Sequence, residues 1–219
     1  VKTVKTVKSV ILGWSGVTIN NFELLPNVTE MVDLMRNDYG IKIGTTGNFS
    51  RDMLNTVLKR SEEEGYIPDT SVVADDVEFG EGPFMIYRNL ELQNIYPLEH
   101  VVKVDHNSYG IEEGQSASCW TVGVACYLNF SNIFDLYPVD LEDKLESAKE
   151  RLVESKAHYV IDSLFQMPKV LDDINSRLKL GEYPYDTDET YMLMNEKFIS
   201  SNEYFESNKD KYSKNMFLL

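Results

Sequence analysis

The most constraining feature of the sequence is a short apolar run near its start that ends in small residues. The run Val10–Leu12 leads directly into Gly13, Trp14, Ser15 and Gly16. An apolar run that stops at glycine and a small hydroxyl residue is typical of a buried strand leaving the carboxyl edge of a sheet. In open α/β sheets, ligands bind at that edge. This stretch therefore predicts both a central strand and one side of a binding site.

Strand patterns alternate with amphipathic helix patterns along most of the chain. Strands that alternate with helices of about ten or more residues indicate βαβ units, and therefore a mostly parallel sheet with helices on both faces. We predict an α/β fold, a three-layer α/β/α sandwich with a Rossmann-like sheet. The predicted strands lie at 8–12, 41–44, 70–73, 100–104, 119–124 and 158–162, and the predicted helices at 26–39, 50–64, 83–93, 141–155 and 168–180.

Composition restricts the classes of function. The chain has 219 residues, 42% of them hydrophobic, which is enough for one sizeable core. Its formal net charge of -15 argues against binding bare nucleic acid or anionic membranes. No apolar run approaches the roughly 20 residues that span a bilayer. Cys119 and Cys126 lie in apolar surroundings and are expected to be reduced core thiols of an intracellular protein.

The two ends of the chain differ from its middle. The basic segment 1–8 lacks the apolar core of a secretory signal and is compatible with what remains after a transit peptide is removed. We therefore predict an intracellular protein of the cytoplasm or the mitochondrion. After Pro184 the chain becomes polar, so we divide it into an α/β domain, 1–183, and a C-terminal helical or extended arm, 184–219.

The arm carries apolar residues at helical spacing, followed by two aromatic residues. They are Tyr191, Leu193, Met194, Phe198, Ile199, Tyr204 and Phe205. Three interpretations remain open: a helix folded back on its own domain, an arm buried in a partner, and disorder. We expect protein partners in a larger complex, bound through residues 185–219.

Several segments resemble one protein family. Trp14 and Gly16 fit the first motif of the haloacid dehalogenase superfamily, in the form it takes in phosphonoacetaldehyde hydrolase. The segments 41–54, 64–76, 95–104 and 120–124 are similar to later parts of that family, in the same order and without gaps. The resemblance covers roughly residues 8–182. It implies the same fold and a site for phosphoryl or phosphonyl chemistry.

In such a site an aspartate attacks phosphorus, Mg²⁺ is held by carboxylates, and a basic side chain and a hydroxyl bind the phosphoryl oxygens. In this chain the resemblance assigns the nucleophile position to Gly13 and the general-acid position to Ser15. The hydroxyl is retained at Thr45 or Thr46. By this assignment the chain retains the hydroxyl group and lacks the nucleophile.

The third and fourth motifs are altered as well. Glu81 stands where the basic residue is expected, and His106 and Gly110 stand where two metal-binding aspartates are expected. Asp105 comes one residue early, and a shift of one residue at a strand exit predicts a side chain that points elsewhere. We therefore predict no catalytic residue, no metal and no cofactor.

The family's helical cap is missing from the expected place. In phosphonoacetaldehyde hydrolase it lies between the first strand and the second motif, and it supplies a lysine that forms a Schiff base. Here the segment 19–39 is long enough only for a loop and one helix, and no lysine lies between Lys8 and Lys42. The chain is thus expected to be capless.

These inferences predict a catalytically inactive relative that acts as a structural or interaction subunit, with a mitochondrial complex among the candidate assemblies. One alternative is a phosphatase-type or phosphonatase-type hydrolase with a remodelled site. Another is a small phospho-ligand sensor that uses Thr45 and Thr46. A new metal site built from Glu81, Asp105 and His106 is disfavoured, because no ligand spacing supports it.

The remaining histidines and Cys119 are expected to be structural. His100 and His158 each stand at the start of a predicted strand. A nucleophilic pair of Cys119 with a histidine is disfavoured, because a cysteine in an apolar strand is usually inert.

Overall fold

The computed structural model describes residues 5–20, 23–80, 82–125, 138–186 and 191–192. The strands are β1 Ser9–Gly13, β2 Ile19–Asn20, β3 Glu23–Leu24, β4 Lys42–Gly47, β5 Thr70–Val73, β6 Val101–Asp105, β7 Trp120–Val124, β8 Tyr159–Ile161 and β9 Tyr191–Met192. The helices are α1 Val28–Tyr39, α2 Arg51–Glu63, α3 Phe84–Gln93, α4 Ser108–Ser116, α5 Pro138–Glu154 and α6 Met167–Leu180.

A seven-stranded sheet forms the middle layer, in the order β5-β4-β1-β6-β7-β8-β9. All its pairings are parallel, whereas β2 and β3 form a separate antiparallel pair. Parallel strands are buried on both faces, and all five residues of β1 are buried. The predicted α/β/α fold with a mostly parallel sheet is confirmed.

The helices divide between the two faces of the sheet because side chains of a strand alternate. Val10 and Leu12 share one core with buried residues of α1, α2 and α6. Ile11 points the other way and packs with Ile86 and Leu90 of α3. Leu152 of α5 packs with Ile111 of α4 on that second face. These contacts complete the three layers.

Sequence patterns missed one helix and three strands. The helix α4 contains Gly110 and Gly114, which have low helix propensity, but the Asn107 side chain caps it by accepting a hydrogen bond from Gly110 N–H at 3.0 Å. The strands β2 and β3 are only two residues long. The third missed strand is β9, which falls in the predicted arm.

The C-terminal arm begins by joining the sheet of its own domain. Tyr191 pairs with Tyr159 and Met192 with Val160, so β9 forms the edge strand. Residues 187–190 and 193–219 lie outside the described residues, and partner binding through the arm stays a prediction. Within the described ranges, no helix combines the length and apolar character needed to cross a membrane.

Candidate functional site

A cleft opens at the carboxyl edge of the sheet where β4, β1 and β6 end. The register pairs Gly13 with Thr46 and Leu12 with Val104, so Gly13 lies between Thr46 and Asp105. The cleft has a volume of about 100 Å³, and its lining includes Ser15 and His106 as well as these three residues. The resemblance and the topology therefore indicate the same place.

Asp105 fills the space that side chains at two glycine positions would need. A Cβ atom added to Gly13 would lie 2.7 Å from Asp105 Oδ2, which real Cβ atoms essentially never do. A Cβ atom added to Gly110 would overlap the same carboxyl group even more severely. These are the positions to which the resemblance assigned the nucleophile and one metal ligand. The Asp105 carboxylate thus lies between Gly13 and Gly110, the two positions at which the resemblance expects a carboxylate and this chain has none.

The expectation that Asp105 points elsewhere is wrong. The sheet register explains why: Leu12 lies beside Val104, so Gly13 and Asp105 are the next residues of neighbouring parallel strands and their Cα–Cβ directions share one face. The shift of one residue moves the carboxylate from the loop after β6 to the last residue of β6. That position still faces the cleft.

Asp105 is ionised and its oxygens are occupied. Oδ2 accepts a hydrogen bond from Lys103 Nζ at 2.8 Å, and Oδ1 accepts from the His106 N–H at 2.8 Å and from Asn107 Nδ2 at 3.2 Å. Burial by itself raises the pKa of Asp105, but the charge of Lys103 and the interactions with His106 and Lys103 lower that pKa to about 2. The carboxylate is therefore held in place as part of an ion pair.

Lys103 is the residue that organises this cluster, and sequence patterns missed its role. It stands inside β6 with no exposed surface. Its Nζ donates to Thr46 Oγ1 at 2.7 Å and lies 3.8 Å from Glu113 Oε2 of α4. A lysine in the middle of the apolar run Val101–Val104 was the available signal, because a buried lysine requires anionic partners.

Glu113 is the second carboxylate beside Lys103. It is 5% exposed and lines the cleft, and its Oε1 has no hydrogen-bond partner among the described residues. Burial raises the pKa of Glu113 to about 7, with Lys103 acting against the rise and Asp105 adding to it. Lys103 neutralises the charge of Asp105, and Glu113 changes its protonation state near neutral pH.

This placement predicts how stability depends on pH. Because the pKa of Glu113 is raised on folding, its stabilising contribution is present at low pH and is lost as pH rises through about 7. We expect the melting temperature of the wild type to fall by a few degrees between about pH 6 and about pH 8 relative to that of Glu113→Gln. Thermal unfolding at both values measures the difference.

Other titrating groups are present in both proteins, so their contributions cancel in this comparison. The pKa of His158 is lowered, mainly by burial, so its stabilising contribution is lost only as pH falls. The Asp105 contribution is lost at still lower pH, because its pKa is about 2. If the melting temperatures of the wild type and Glu113→Gln differ by the same amount at both pH values, the assignment to Glu113 is contradicted.

The remaining predicted site residues are only partly brought together. Thr46 faces the cleft, but Thr45 points to Ser71, with 2.7 Å between their hydroxyl oxygens. Ser15 is exposed at the cleft. The His106 ring lies where a Cβ atom at Gly16 would have to be. The φ of Gly16, 72°, is also a backbone conformation that favours glycine.

The metal site that the sequence analysis disfavoured finds no support among the described side chains. They contain no group of three or more histidine, cysteine, aspartate or glutamate residues placed to hold a metal ion. Glu81, a member of that disfavoured group and the altered basic position, lies outside the described residues. His106 and Asp105 are neighbours, with 3.2 Å between Nδ1 and Oδ1.

The other histidines and Cys119 make contacts that suit the structural roles expected of them, which stay a prediction. His100 Nδ1 lies 2.6 Å from the Thr6 carbonyl oxygen. His158 Nδ1 accepts from the Thr121 N–H at 3.0 Å, and its Nε2 lies 2.7 Å from the Pro184 carbonyl oxygen. Cys119 is a free, buried thiol whose pKa is raised to about 12 by burial. Cys126 lies outside the described residues.

Comparison with known proteins gives consistent relatives. A phosphonoacetaldehyde hydrolase of Syntrophobacter fumaroxidans is 36% identical over 168 residues, which cover 74% of this chain and 60% of that protein. The crystal structure of a phosphonoacetaldehyde hydrolase like protein from Oleispira antarctica superposes with a TM-score of 0.69 at 33% identity, covering 74% of this chain and 60% of the other. No protein-family model matches the chain.

A more distant structure supports the fold alone. It is a conserved haloacid dehalogenase-like protein of unknown function from Agrobacterium tumefaciens, with a TM-score of 0.53 at 18% identity, covering 69% of this chain and 61% of the other. The chain thus has a haloacid dehalogenase-like fold and homologues among phosphonoacetaldehyde hydrolases. It spans about three fifths of the length of the relatives named here.

Proposed function

We propose that this chain is a haloacid dehalogenase-like domain that does not carry out aspartyl phosphoryl transfer and instead has a structural or binding role. One observation carries the proposal. The Asp105 carboxylate, paired with Lys103, fills the space between Gly13 and Gly110, where the resemblance expects a nucleophile and a metal ligand. A phosphoryl group and a nucleophile cannot share that space with the ion pair.

The residues present do not fit Mg²⁺ as the resemblance would place it. Mg²⁺ requires near-octahedral oxygen ligands, and Gly13 and Gly110 offer no side chain. Both oxygens of Asp105 already accept hydrogen bonds. The Lys103 ammonium, 2.8 Å from Oδ2, would repel a second cation. We therefore derive no catalytic step through this metal.

The charge of the cleft also argues against a phospho-ligand sensor. Asp105 is ionised, and Glu113 adds negative charge as pH rises through about 7. The Thr46 hydroxyl accepts a hydrogen bond from Lys103, and that lysine is buried beneath Asp105 and Glu113. A phosphate would meet carboxylates before it met the ammonium group.

The second candidate is a hydrolase with a remodelled site. The homologues named as phosphonoacetaldehyde hydrolases favour it, and Asp105 supplies an ionised carboxylate at the cleft. In this candidate Asp105 itself would be the nucleophile, turning away from Lys103 to attack. Asp105 would first have to give up its buried ion pair with Lys103, and this is why we place the candidate second.

Activity assays separate the two candidates. We expect purified protein with Mg²⁺ to show no turnover of phosphonoacetaldehyde or of p-nitrophenyl phosphate above that of a buffer control. We also expect Gly13→Asp alone to show none, because the new side chain would collide with Asp105 and the metal would still lack its ligands. Measured product release per enzyme is the readout.

Turnover by the wild type that disappears in Asp105→Asn, while Asp162→Asn retains it, would overturn the proposal and establish the remodelled hydrolase. Asp162 is a matched control because it directly follows β8 at the same edge of the sheet and forms a partly exposed pair with Lys149. Folding of both variants is verified by circular dichroism before the comparison.

The structural role that we propose involves protein partners in an assembly, in the cytoplasm or the mitochondrion. The acidic surface supports a basic partner, since the formal net charge is -15. The aromatic residues of 185–219 supply candidate contact area. Measuring the mass of the native complex that contains this protein tests whether it has protein partners.

A further inference from the structure

A row of exposed aromatic rings lies along α3, on the face of the sheet opposite α1, α2 and α6. Phe84 and Tyr87 stand on the outer side of α3, and Phe79 lies in the loop before that helix. Phe79 is 61% exposed, Phe84 is 44% exposed and Tyr87 is 39% exposed. The ring centroids of Phe79 and Phe84 are 5.5 Å apart, and those of Phe84 and Tyr87 are 6.4 Å apart. We call these three residues the aromatic row.

The aromatic row reaches α4 at both of its ends. The Tyr87 hydroxyl donates a hydrogen bond to the Ser116 carbonyl oxygen of α4 at 3.3 Å. At the other end, Phe79 and Tyr109 of α4 line a groove of about 690 Å³. Tyr109 is itself 41% exposed. The row and the groove therefore form one aromatic surface that extends over two neighbouring helices.

Exposed carboxylates border this surface. Glu78 lines the groove. Glu91 follows Tyr87 by four residues on α3, and Glu112 follows Tyr109 by three residues on α4. Residues three or four apart share one face of a helix, so Glu91 and Glu112 stand beside exposed rings. All three glutamates are exposed.

The two helices offer one cation against these carboxylates. Arg88 is the basic residue of α3, α4 has none, and Arg88 pairs with Glu91 at 2.5 Å. Glu78 and Glu112 are thus left without a cation on either helix. Such a surface is complementary to a partner surface that is apolar at its centre and basic at its rim.

We propose that α3 and α4 dock a basic amphipathic helix of a partner protein. Its apolar side chains lie on the aromatic row and in the groove, and its lysine or arginine side chains lie toward Glu78 and Glu112. This inference rests on the proposed binding role and adds the place of the contact and the chemistry of the partner.

A helix is the element that suits this surface. It satisfies its own backbone hydrogen bonds, and the outer faces of α3 and α4 offer side chains rather than the free backbone groups that a docked strand needs. The ring spacings of 5.5 and 6.4 Å are also close to the helical pitch of about 5.4 Å. Apolar side chains one turn apart on the partner helix can therefore meet successive rings.

The test uses a fluorescently labelled peptide of about 18 residues, made of leucine and lysine, with the leucines on one helical face. Fluorescence anisotropy with the full chain is expected to show saturable binding that weakens as salt is added. One control peptide has the same residues in a scrambled order that leaves no apolar face, and the other has glutamate in place of every lysine. Both are expected to bind about tenfold more weakly or worse.

Variants of the protein locate the contact. Phe84→Ala is expected to weaken binding by about tenfold, because a central ring carries much of the affinity of an interface. Glu78→Gln is expected to weaken it by about threefold and to reduce its salt dependence. Both side chains are exposed, so the fold is expected to persist, and circular dichroism verifies it.

Matched controls lie on the other face of the sheet. Leu180→Ala removes an exposed apolar side chain at the end of α6, and Glu62→Gln removes an exposed carboxylate of α2. Both helices pack on the core opposite α3. Both variants are expected to bind the peptide like the wild type.

Three binding results would overturn the proposal. The first is no binding of the leucine–lysine peptide at submillimolar protein. The second is equally tight binding of either control peptide. The third is equal weakening by Leu180→Ala and Phe84→Ala, or by Glu62→Gln and Glu78→Gln, which would show a diffuse effect of the whole surface.

Two further results would assign the surface to another occupant and so overturn the partner assignment. One is a wild-type dimer in analytical ultracentrifugation that Phe84→Ala converts to a monomer, which would identify a second copy. The other is a carbodiimide cross-link within one chain from Glu78 or Glu112 to a lysine of 193–219, which would identify the chain's own C-terminal segment. Turnover in the activity assays would contradict the proposed function and leave these binding measurements unaffected, so the two failures are distinguishable.

Discussion

Replacing Asp105 by alanine is expected to lower the free energy of unfolding by roughly 3–5 kcal/mol, because the change leaves Lys103 as a buried charge without its nearest partner. Lys103 has no exposed surface, and its other carboxylate, Glu113, lies 3.8 Å away. For a chain of this size the melting temperature is expected to fall by about 10 °C. Urea unfolding followed by circular dichroism measures the loss.

A matched control and a double-mutant cycle test the cause. Asp162→Ala removes the carboxylate of a partly exposed pair, Lys149–Asp162, at 3.1 Å, and is expected to cost about 1 kcal/mol or less. Lys103→Met combined with Asp105→Ala is expected to be more stable than the sum of the single changes predicts. A loss below about 1 kcal/mol in Asp105→Ala, or additive effects in the cycle, would show that the pair does not support the fold.

Gly110→Ala is expected to destabilise the protein by roughly 1–3 kcal/mol or more, although alanine is the better helix former. The substitution lies within α4, where alanine is favoured over glycine by about 1 kcal/mol. The new Cβ atom would overlap the Asp105 carboxyl group, so the carboxylate would have to leave Lys103. Overpacking and the broken ion pair outweigh the gain in helix propensity.

The comparison for this prediction is Ser116→Ala, at an exposed position near the end of the same helix, which is expected to change stability by no more than about 0.5 kcal/mol. In an Asp105→Ala background, the further cost of Gly110→Ala should shrink, because the group that it meets is gone. A stabilising Gly110→Ala would mean that Asp105 does not occupy the space between the two glycines.

Much of the fold could be predicted from hydrophobic periodicity and turn residues. The apolar run Val10–Leu12, followed by a glycine, predicted β1. Gly40 and Gly181 adopt the left-handed conformation that ends α1 and α6. The pattern failed at α4, where Gly110 and Gly114 conceal a helix. Both glycines are needed there because Asp105 and Lys103 lie against them.

The resemblance located the site but could not describe its interior. It assigned Gly13, Thr45 or Thr46, and Gly110 to the carboxyl edge of the sheet, where Gly13, Thr46 and Gly110 line the cleft. It could not show that Asp105 takes over the vacated space, because a motif compares positions along the chain, whereas the overlap joins β1, β6 and α4. Lys103 was hidden for the same reason, since its partners Thr46 and Glu113 are far from it in sequence or on another element.

The sequence by itself determined the α/β architecture and the loss of side chains at Gly13 and Gly110, because periodicity and residue identity are local properties of the chain. Only the tertiary structure decided what fills the resulting space. The register of β1 against β6 sets Asp105 beside Gly13, and α4 brings Gly110 and Glu113 against the same cluster. The charge of Lys103 then holds Asp105 ionised, and burial raises the pKa of Glu113.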